Sequence, residues 1–207
     1  MLKIWGRSSS SNVQKVLWCC AELDIAYERT DWGGPFGGNQ DPEYLKLNPN
    51  GLVPTVIDGD LVMWESNTIC RYLAARDART DLLPSAPAAR AVVEQWMDWQ
   101  AGELNNAWRY AFMAHVRKSP AHADPASIKA SVASWNRHMA LLDERLERTG
   151  AWVAGAAFTL ADIVIGLAVH RFMRTPIERA TLPAVDAYYD RLRERPASMP
   201  HIADDVP

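Results

Sequence analysis

The spacing of apolar residues follows two different rules along this chain. Leu2-Lys3-Ile4-Trp5 is a short apolar stretch closed by Gly6 and predicts a strand. After a polar run at 8–11, Val13, Val16, Leu17, Cys20 and Leu23 recur at helical spacing. Residues 26–30 are a second strand candidate with weaker alternation. Residues 32–40 hold four Gly and one Pro and predict a loop, and Asp41 stands as a cap before one helical turn over 42–46. Thr55-Val56-Ile57 and Leu61-Val62-Met63 flank Asp58-Gly59-Asp60, a hairpin pattern. Helical spacing returns over 65–76 through Ile69, Tyr72 and Leu73. The order strand, helix, strand, helix, strand, strand, helix predicts a mixed sheet. Its first two strands are parallel, its last two antiparallel, and helices cover both faces.

Residues 77–89 carry two Pro and several small residues and read as a linker. Beyond them strand signals vanish. Val92, Val93, Trp96, Met97, Trp99 and Leu104 mark one helix over 91–116. Ile128, Val132, Trp135, Met139, Leu142 and Leu146 step by four and three, the cleanest helical stripe in the chain. Thr159 and Asp162 have the spacing of a capping box, and the apolar run 163–169 behind them reads as a buried helix. A fourth helix is expected over 183–193 and coil after Pro196. The predicted fold class is therefore α/β followed by all-α, with domains at 1–78 and 88–207.

Composition narrows the function. The formal charge is −3, without the cationic excess that a nucleic-acid binder needs to displace counterions. No apolar run is long enough to span a bilayer, and the first residues turn polar too soon for a signal peptide. Three cysteines, Cys19, Cys20 and Cys70, have no zinc or CxxC spacing and sit in apolar helical patterns, as buried inert thiols do. His115, His122, His138, His170 and His201 are scattered, so no metal site is expected.

Four segments of this framework together resemble the cytosolic glutathione S-transferase family. They are Trp5-Gly6-Arg7-Ser8-Ser9-Ser10-Ser11-Asn12, Asn48-Pro49-Asn50-Gly51-Leu52-Val53-Pro54, Trp64-Glu65-Ser66-Asn67 and Phe158-Thr159-Leu160-Ala161-Asp162-Ile163. They occur in the family's order, and the similarity runs over essentially the whole chain. A first loop without Tyr is similar to bacterial serine-type members of the theta-like or nu-like groups. The resemblance implies a thioredoxin-like glutathione-binding domain over 1–78 and an all-helical domain over 88–207 lining the electrophile site. It also implies a cytoplasmic, detoxifying homodimer that uses glutathione as co-substrate, with no nucleic-acid or membrane partner.

Residue by residue, it places a sulfur-facing hydroxyl at Ser10. A free thiol near pKa 8.5 is mostly protonated at neutral pH, so a donor aimed at sulfur and the positive end of a helix would favour the thiolate. Asn12 would add a second donor. Plain capping competes for these serines: Ser11 as N-cap with Gln14 at N3 fits a capping box, leaving Ser10 outside the helix. Val53, before a cis-Pro54, would pair its backbone with the cysteinyl part of the tripeptide as an added strand, with Leu52 alongside. Against this stands an ordinary loop proline. Ser66 would hold the γ-glutamyl carboxylate at a helix start, or simply cap that helix, with Glu65 near the ligand's ammonium group. Asn50 and Gln40 are candidates for the glycyl end. Trp108, Arg109, Phe112 and Met113 would line the electrophile pocket between the sheet domain and the long helix, unless they are core. Asp98 would approach a partner subunit's glutathione or be a solvated acid.

Three functions compete on these residues. The first is conjugation of the glutathione thiolate to small apolar electrophiles. The second is glutathione-dependent reduction of disulfides or peroxides, disfavoured by Ser in place of Cys in the first loop. The third is a non-catalytic binding or scaffold module on the same fold, against which stands the complete set Ser10, Val53-Pro54 and Glu65-Ser66.

Overall fold

A computed structural model describes residues 1–203. The chain divides into two compact units, Met1–Pro84 and a second beginning at Ser85.

In the first unit, β1 (Leu2–Trp5) leads to α1 (Ser11–Leu23), then β2 (Tyr27–Thr30), α2 (Pro42–Leu47), β3 (Thr55–Asp58), β4 (Leu61–Trp64) and α3 (Ser66–Arg76). One 3₁₀ turn, Gly34–Phe36, interrupts the glycine-rich loop. The sheet order is β2-β1-β3-β4, parallel between β1 and β2 and antiparallel elsewhere. This is the mixed sheet that the element order predicts. Strand alternation assigns the faces. Leu2 and Ile4 are buried, and on the other face Trp5 stacks on Tyr44 of α2 at 5.9 Å. Helices α1 and α3 pack together. Their contact is polar as well as apolar: Lys15 Nζ donates to Asn67 Oδ1 at 3.2 Å, and Cys70 Sγ to the Lys15 carbonyl at 3.5 Å.

The second unit is helical: α4 (Pro87–Trp99), α5 (Asn105–His115), α6 (Pro125–Thr149), α7 (Leu160–Arg174) and α8 (Pro183–Arg193). The linker expected through residue 89 ends earlier, because Pro87 starts α4 at a position where a missing N–H is harmless. The single helix expected over 91–116 is two. A π-helical turn, Gln100–Leu104, separates α4 from α5. The Gln100 amide donates to Asn105 Oδ1 at 2.8 Å across this turn. The stripe on α6 is buried at Trp135, Met139, Leu142 and Leu146. Helix α7 is buried from Leu160 to Phe172, as its unbroken apolar run predicts. Residues 196–203 form turns without a helix or strand, yet Ser198, His201 and Ile202 are buried, so this stretch docks on the unit. The remainder of the tail lies outside the described residues.

Asp162 organises the start of α7. Its carboxylate accepts from the backbone N–H of Thr159 at 2.8 Å and of Val153 at 2.9 Å, from the Thr159 hydroxyl at 3.1 Å and from the Tyr188 hydroxyl at 3.2 Å. Thr159 and Asp162 complete the capping box their spacing predicts. Burial pushes the Asp162 carboxyl up to about 6, against the pull of those four donors.

Candidate active site

The serines before α1 are arranged differently from the sequence expectation. Ser10, not Ser11, is the N-cap: its backbone is extended, and its carbonyl accepts from the Gln14 N–H at 2.8 Å. The box with Gln14 does not form. The Gln14 side chain instead donates to the Ser8 carbonyl at 2.7 Å, tying down the serine run. The Ser10 hydroxyl makes no capping bond and has no hydrogen-bond partner among the described residues. It therefore lies at the positive end of α1 with its donor unused.

A small cleft opens in this unit. Asn12, Asn50, Leu52, Val53, Pro54, Glu65 and Ser66 line it, so seven sequence-derived candidates meet in one place. Ser10 and Gln40 are not among its lining residues. Gln40 is exposed, and its amide lies beside Gly51.

The loop under the cleft is held rigidly. Val53–Pro54 is cis. Tyr44 OH donates to the Leu52 carbonyl at 2.6 Å and lies 2.8 Å from Thr55 Oγ1. Asn48 Nδ2 donates to the same Leu52 carbonyl at 2.8 Å, and Asn48 Oδ1 accepts from the Asn50 N–H at 3.1 Å. Gly51 has φ +60°, and a Cβ there would fall 2.8 Å from the Asn39 carbonyl, so only glycine fits. Asn39 in turn bonds the Gly51 carbonyl through its amide. By contrast, the Val53 N–H and C=O have no partner among the described residues. A partly buried residue whose backbone N–H and C=O are both open is an uncommon feature in a folded chain and suits pairing with an extended ligand.

On the far wall, Glu65 is the N-cap of α3 and Ser66 its first residue, one position on from the cap role that Ser66 could have had. Glu65 holds φ +72° and ψ +103°, a conformation that non-glycine residues rarely adopt and that costs about 1–3 kcal/mol. Ser66 is buried with its N–H in the first, unsatisfied turn of α3, a favourable place for a carboxylate. Two lining residues, Asn48 and Trp64, were not singled out from the sequence, although both lie inside its four diagnostic segments. Asn48 acts by pinning the loop, and Trp64 closes the cleft from β4.

The three cysteines are buried. A hydrogen bond with Cys70 and then burial raise the Cys19 thiol well above its usual range, and burial pushes Cys20 up to about 12. Neither is a nucleophile at neutral pH.

The four electrophile candidates all lie on α5. Trp108 is half-buried and Nε1 donates to Asn105 Oδ1 at 3.1 Å. Phe112 is buried against Trp108, ring centroids 5.3 Å apart. Arg109 is exposed and Met113 partly buried. Asp98 is exposed on α4. No group of metal-binding side chains and no helix long and apolar enough to cross a membrane occurs among the described residues.

Comparison with known proteins shows the family. The family model for the glutathione S-transferase N-terminal domain matches residues 1–75, and a C-terminal domain model of the same family matches 125–191. The chain is 41% identical over 199 residues to glutathione S-transferase GstB of Escherichia coli, 95% of each chain. It is 30% identical to the disulfide-bond oxidoreductase YfcG of the same organism, over 86% of this chain and 83% of that one. Among solved structures, the theta class glutathione S-transferase of Xanthomonas axonopodis pv. citri with glutathione bound superposes with a TM-score of 0.92. The two are 43% identical, over 100% of this chain and 99% of that one. The chain belongs to the glutathione S-transferase family.

Proposed function

We propose that the chain is a glutathione transferase that joins the thiolate of glutathione to a small electrophile. The observation that carries this reading is the cleft in which the open backbone N–H and C=O of Val53 share a lining with Asn12, Glu65 and Ser66. The tripeptide lies along β3's approach, its cysteinyl backbone paired with Val53 and flanked by Leu52. Its γ-glutamyl carboxylate sits at the N-terminus of α3 on Ser66, and its ammonium group near Glu65. Asn50, with Gln40 farther out, serves the glycyl end. The sulfur faces the start of α1, where Ser10 and Asn12 donate to it. These donors lower the thiol pKa by favouring the anion, and the released proton goes to solvent. The thiolate then forms the S–C bond as the electrophile's leaving group departs with its electron pair. On the helical unit, Trp108, Arg109, Phe112 and Met113 receive the electrophile.

The second reading, glutathione-dependent disulfide reduction, is favoured by the relationship to YfcG. With the cysteines buried, that chemistry would run between glutathione molecules and the substrate, without a mixed disulfide on the enzyme.

The assembly is a homodimer, and the location cytoplasmic, with detoxification as the physiological role. Support for the dimer is the apolar surface of the sheet unit: Leu61, Val62 and Trp64 are exposed on the edge strand β4, with Leu52 and Phe36 also exposed. A sedimentation mass of one chain at micromolar concentration would refute the dimer.

Thermal melting in glutathione tests the reading directly. At about a hundred times Kd, ligand binding stabilises by about 2.7 kcal/mol. That corresponds to a rise in Tm of roughly 5–10 °C for a chain of this size. No shift at millimolar glutathione would leave only a shared fold.

A further inference from the structure

Arg171 is out of place for an α-helical arginine. It lies on the buried stretch of α7 and is 9% exposed. Its Nε is buried without a hydrogen-bond partner, and no carboxylate pairs with its guanidinium among the described residues. Buried guanidinium groups are normally paired, because an unpaired buried charge is strongly destabilising. Here aromatic rings flank it instead: its Cζ lies 4.3 Å from the Trp108 ring centroid and 4.7 Å from that of Phe112. A second arginine, Arg117, sits over the same Phe112 ring at 5.5 Å. Two cations thus lie against one phenyl ring, and no ion pair joins either of them among the described residues. Burial, and then Arg117, bring Arg171 down to about 10, so it still carries its charge at neutral pH. The cluster reaches solvent at Trp108, which is half-buried, and at Arg117, which is exposed.

Two rings within 5 Å confine the guanidinium, and a confined planar fork matches a carboxylate in two parallel hydrogen bonds. The rings beside it suit an apolar body attached to that carboxylate. We propose that Arg171 and Arg117 form a recognition site for the carboxylate of a small aromatic or apolar acid. Where the transferase reading holds, this acid is the second substrate, so the preferred electrophile is anionic rather than neutral. Arg171 binds it; the sulfur chemistry stays at α1.

The test pairs a binding arm with a turnover arm. In the first, tryptophan fluorescence of the full chain is titrated with benzoate and with benzamide at matched ionic strength. Benzoate is expected to bind at least about tenfold more tightly, the scale of one charge-assisted contact. In Arg171→Gln that preference falls to about twofold or less, while Tm holds or rises because an unpaired buried charge has gone. Should Arg171→Gln fail to fold, Arg117→Gln at the exposed position is expected to weaken the preference as well. Equal binding of the two ligands, or a preference that survives in both variants, would overturn the site. In the second arm, glutathione conjugation of 4-chloro-3-nitrobenzoate is compared with its methyl ester, each divided by its uncatalysed rate. A higher kcat/KM for the acid that disappears in Arg171→Gln supports the substrate assignment. Equal values for acid and ester overturn it. If neither compound nor any neutral aryl halide is conjugated, the transferase reading fails, and the benzoate result still decides the site by itself.

Discussion

Among the described residues two α-helices begin with a hydroxyl residue at the N-cap, and they use it in opposite ways. At α7, Thr159 and Asp162 close on each other, and every oxygen of Asp162 accepts a hydrogen bond. At α1, Ser10 occupies the same position with its hydroxyl open, and Asn12 faces the cleft. The first start is saturated and buried; the second is unsatisfied and accessible. A satisfied cap holds a helix in place, whereas an open one leaves a donor and the helix's positive end to something outside the chain. The same contrast separates the Leu52 carbonyl, which accepts twice, from the backbone N–H and C=O of Val53, which have no partner among the described residues. In both places the pinned group positions the open one.

This contrast can be broken at either end. The largest effect is expected from Asp162→Ala, which leaves the Thr159 and Val153 N–H groups buried without an acceptor. The loss is about 3–5 kcal/mol, a fall in Tm of roughly 10 °C, with glutathione affinity of the folded fraction unchanged. Calorimetry with and without glutathione checks both parts. Ser10→Ala is the mirror case. Its melting temperature should hold within a degree or so, because the hydroxyl makes no cap bond. Its conjugation rate should fall roughly a hundredfold, the scale for removing one donor to a developing or stabilised anion. Steady-state kinetics on an activated aryl halide decide this, and a wild-type rate would remove Ser10 from the mechanism.

A smaller effect comes from pH. Asp162 is raised from 3.8 to about 6 by burial, so the folded chain holds a proton that the unfolded chain has already released between those values. Its contribution is fully present below about pH 4 and is lost as pH rises to about 6, at most about 3 kcal/mol in all. Asp162→Asn lacks that slope. Melting curves of both proteins across this window should converge or diverge with pH, and parallel curves would show that Asp162 does not titrate there.

Much of this architecture was legible in the order of residues. The sheet follows from short apolar stretches punctuated by Gly6 and by Asp58-Gly59-Asp60. The α7 start follows from Thr159 and Asp162, because a box with a fixed spacing has one register. The α1 start did not: four consecutive serines offer several registers, and the fold settles on Ser10, whose carbonyl accepts from the Gln14 N–H. The π-helical turn at Gln100–Leu104 was hidden because apolar spacing runs through it undisturbed. Within the cleft, Val53, Glu65 and Ser66 were readable only as members of segments resembling a family. Asn48 was not, since its role is to hold another residue's carbonyl. Arg171 was invisible for a different reason: an arginine near a helix C-terminus reads as a solvated charge until its burial is seen.

The central claim is that open donors at the start of α1 hold the glutathione sulfur as an anion. The ultraviolet absorbance of the thiolate, followed against pH in the complex, measures this without any electrophile. The account predicts a bound thiol pKa below the free value of about 8.5, moving back toward it when Ser10 and Asn12 are both replaced by Ala. A bound thiol that titrates as in free solution in the unaltered protein, with glutathione still bound, would contradict it.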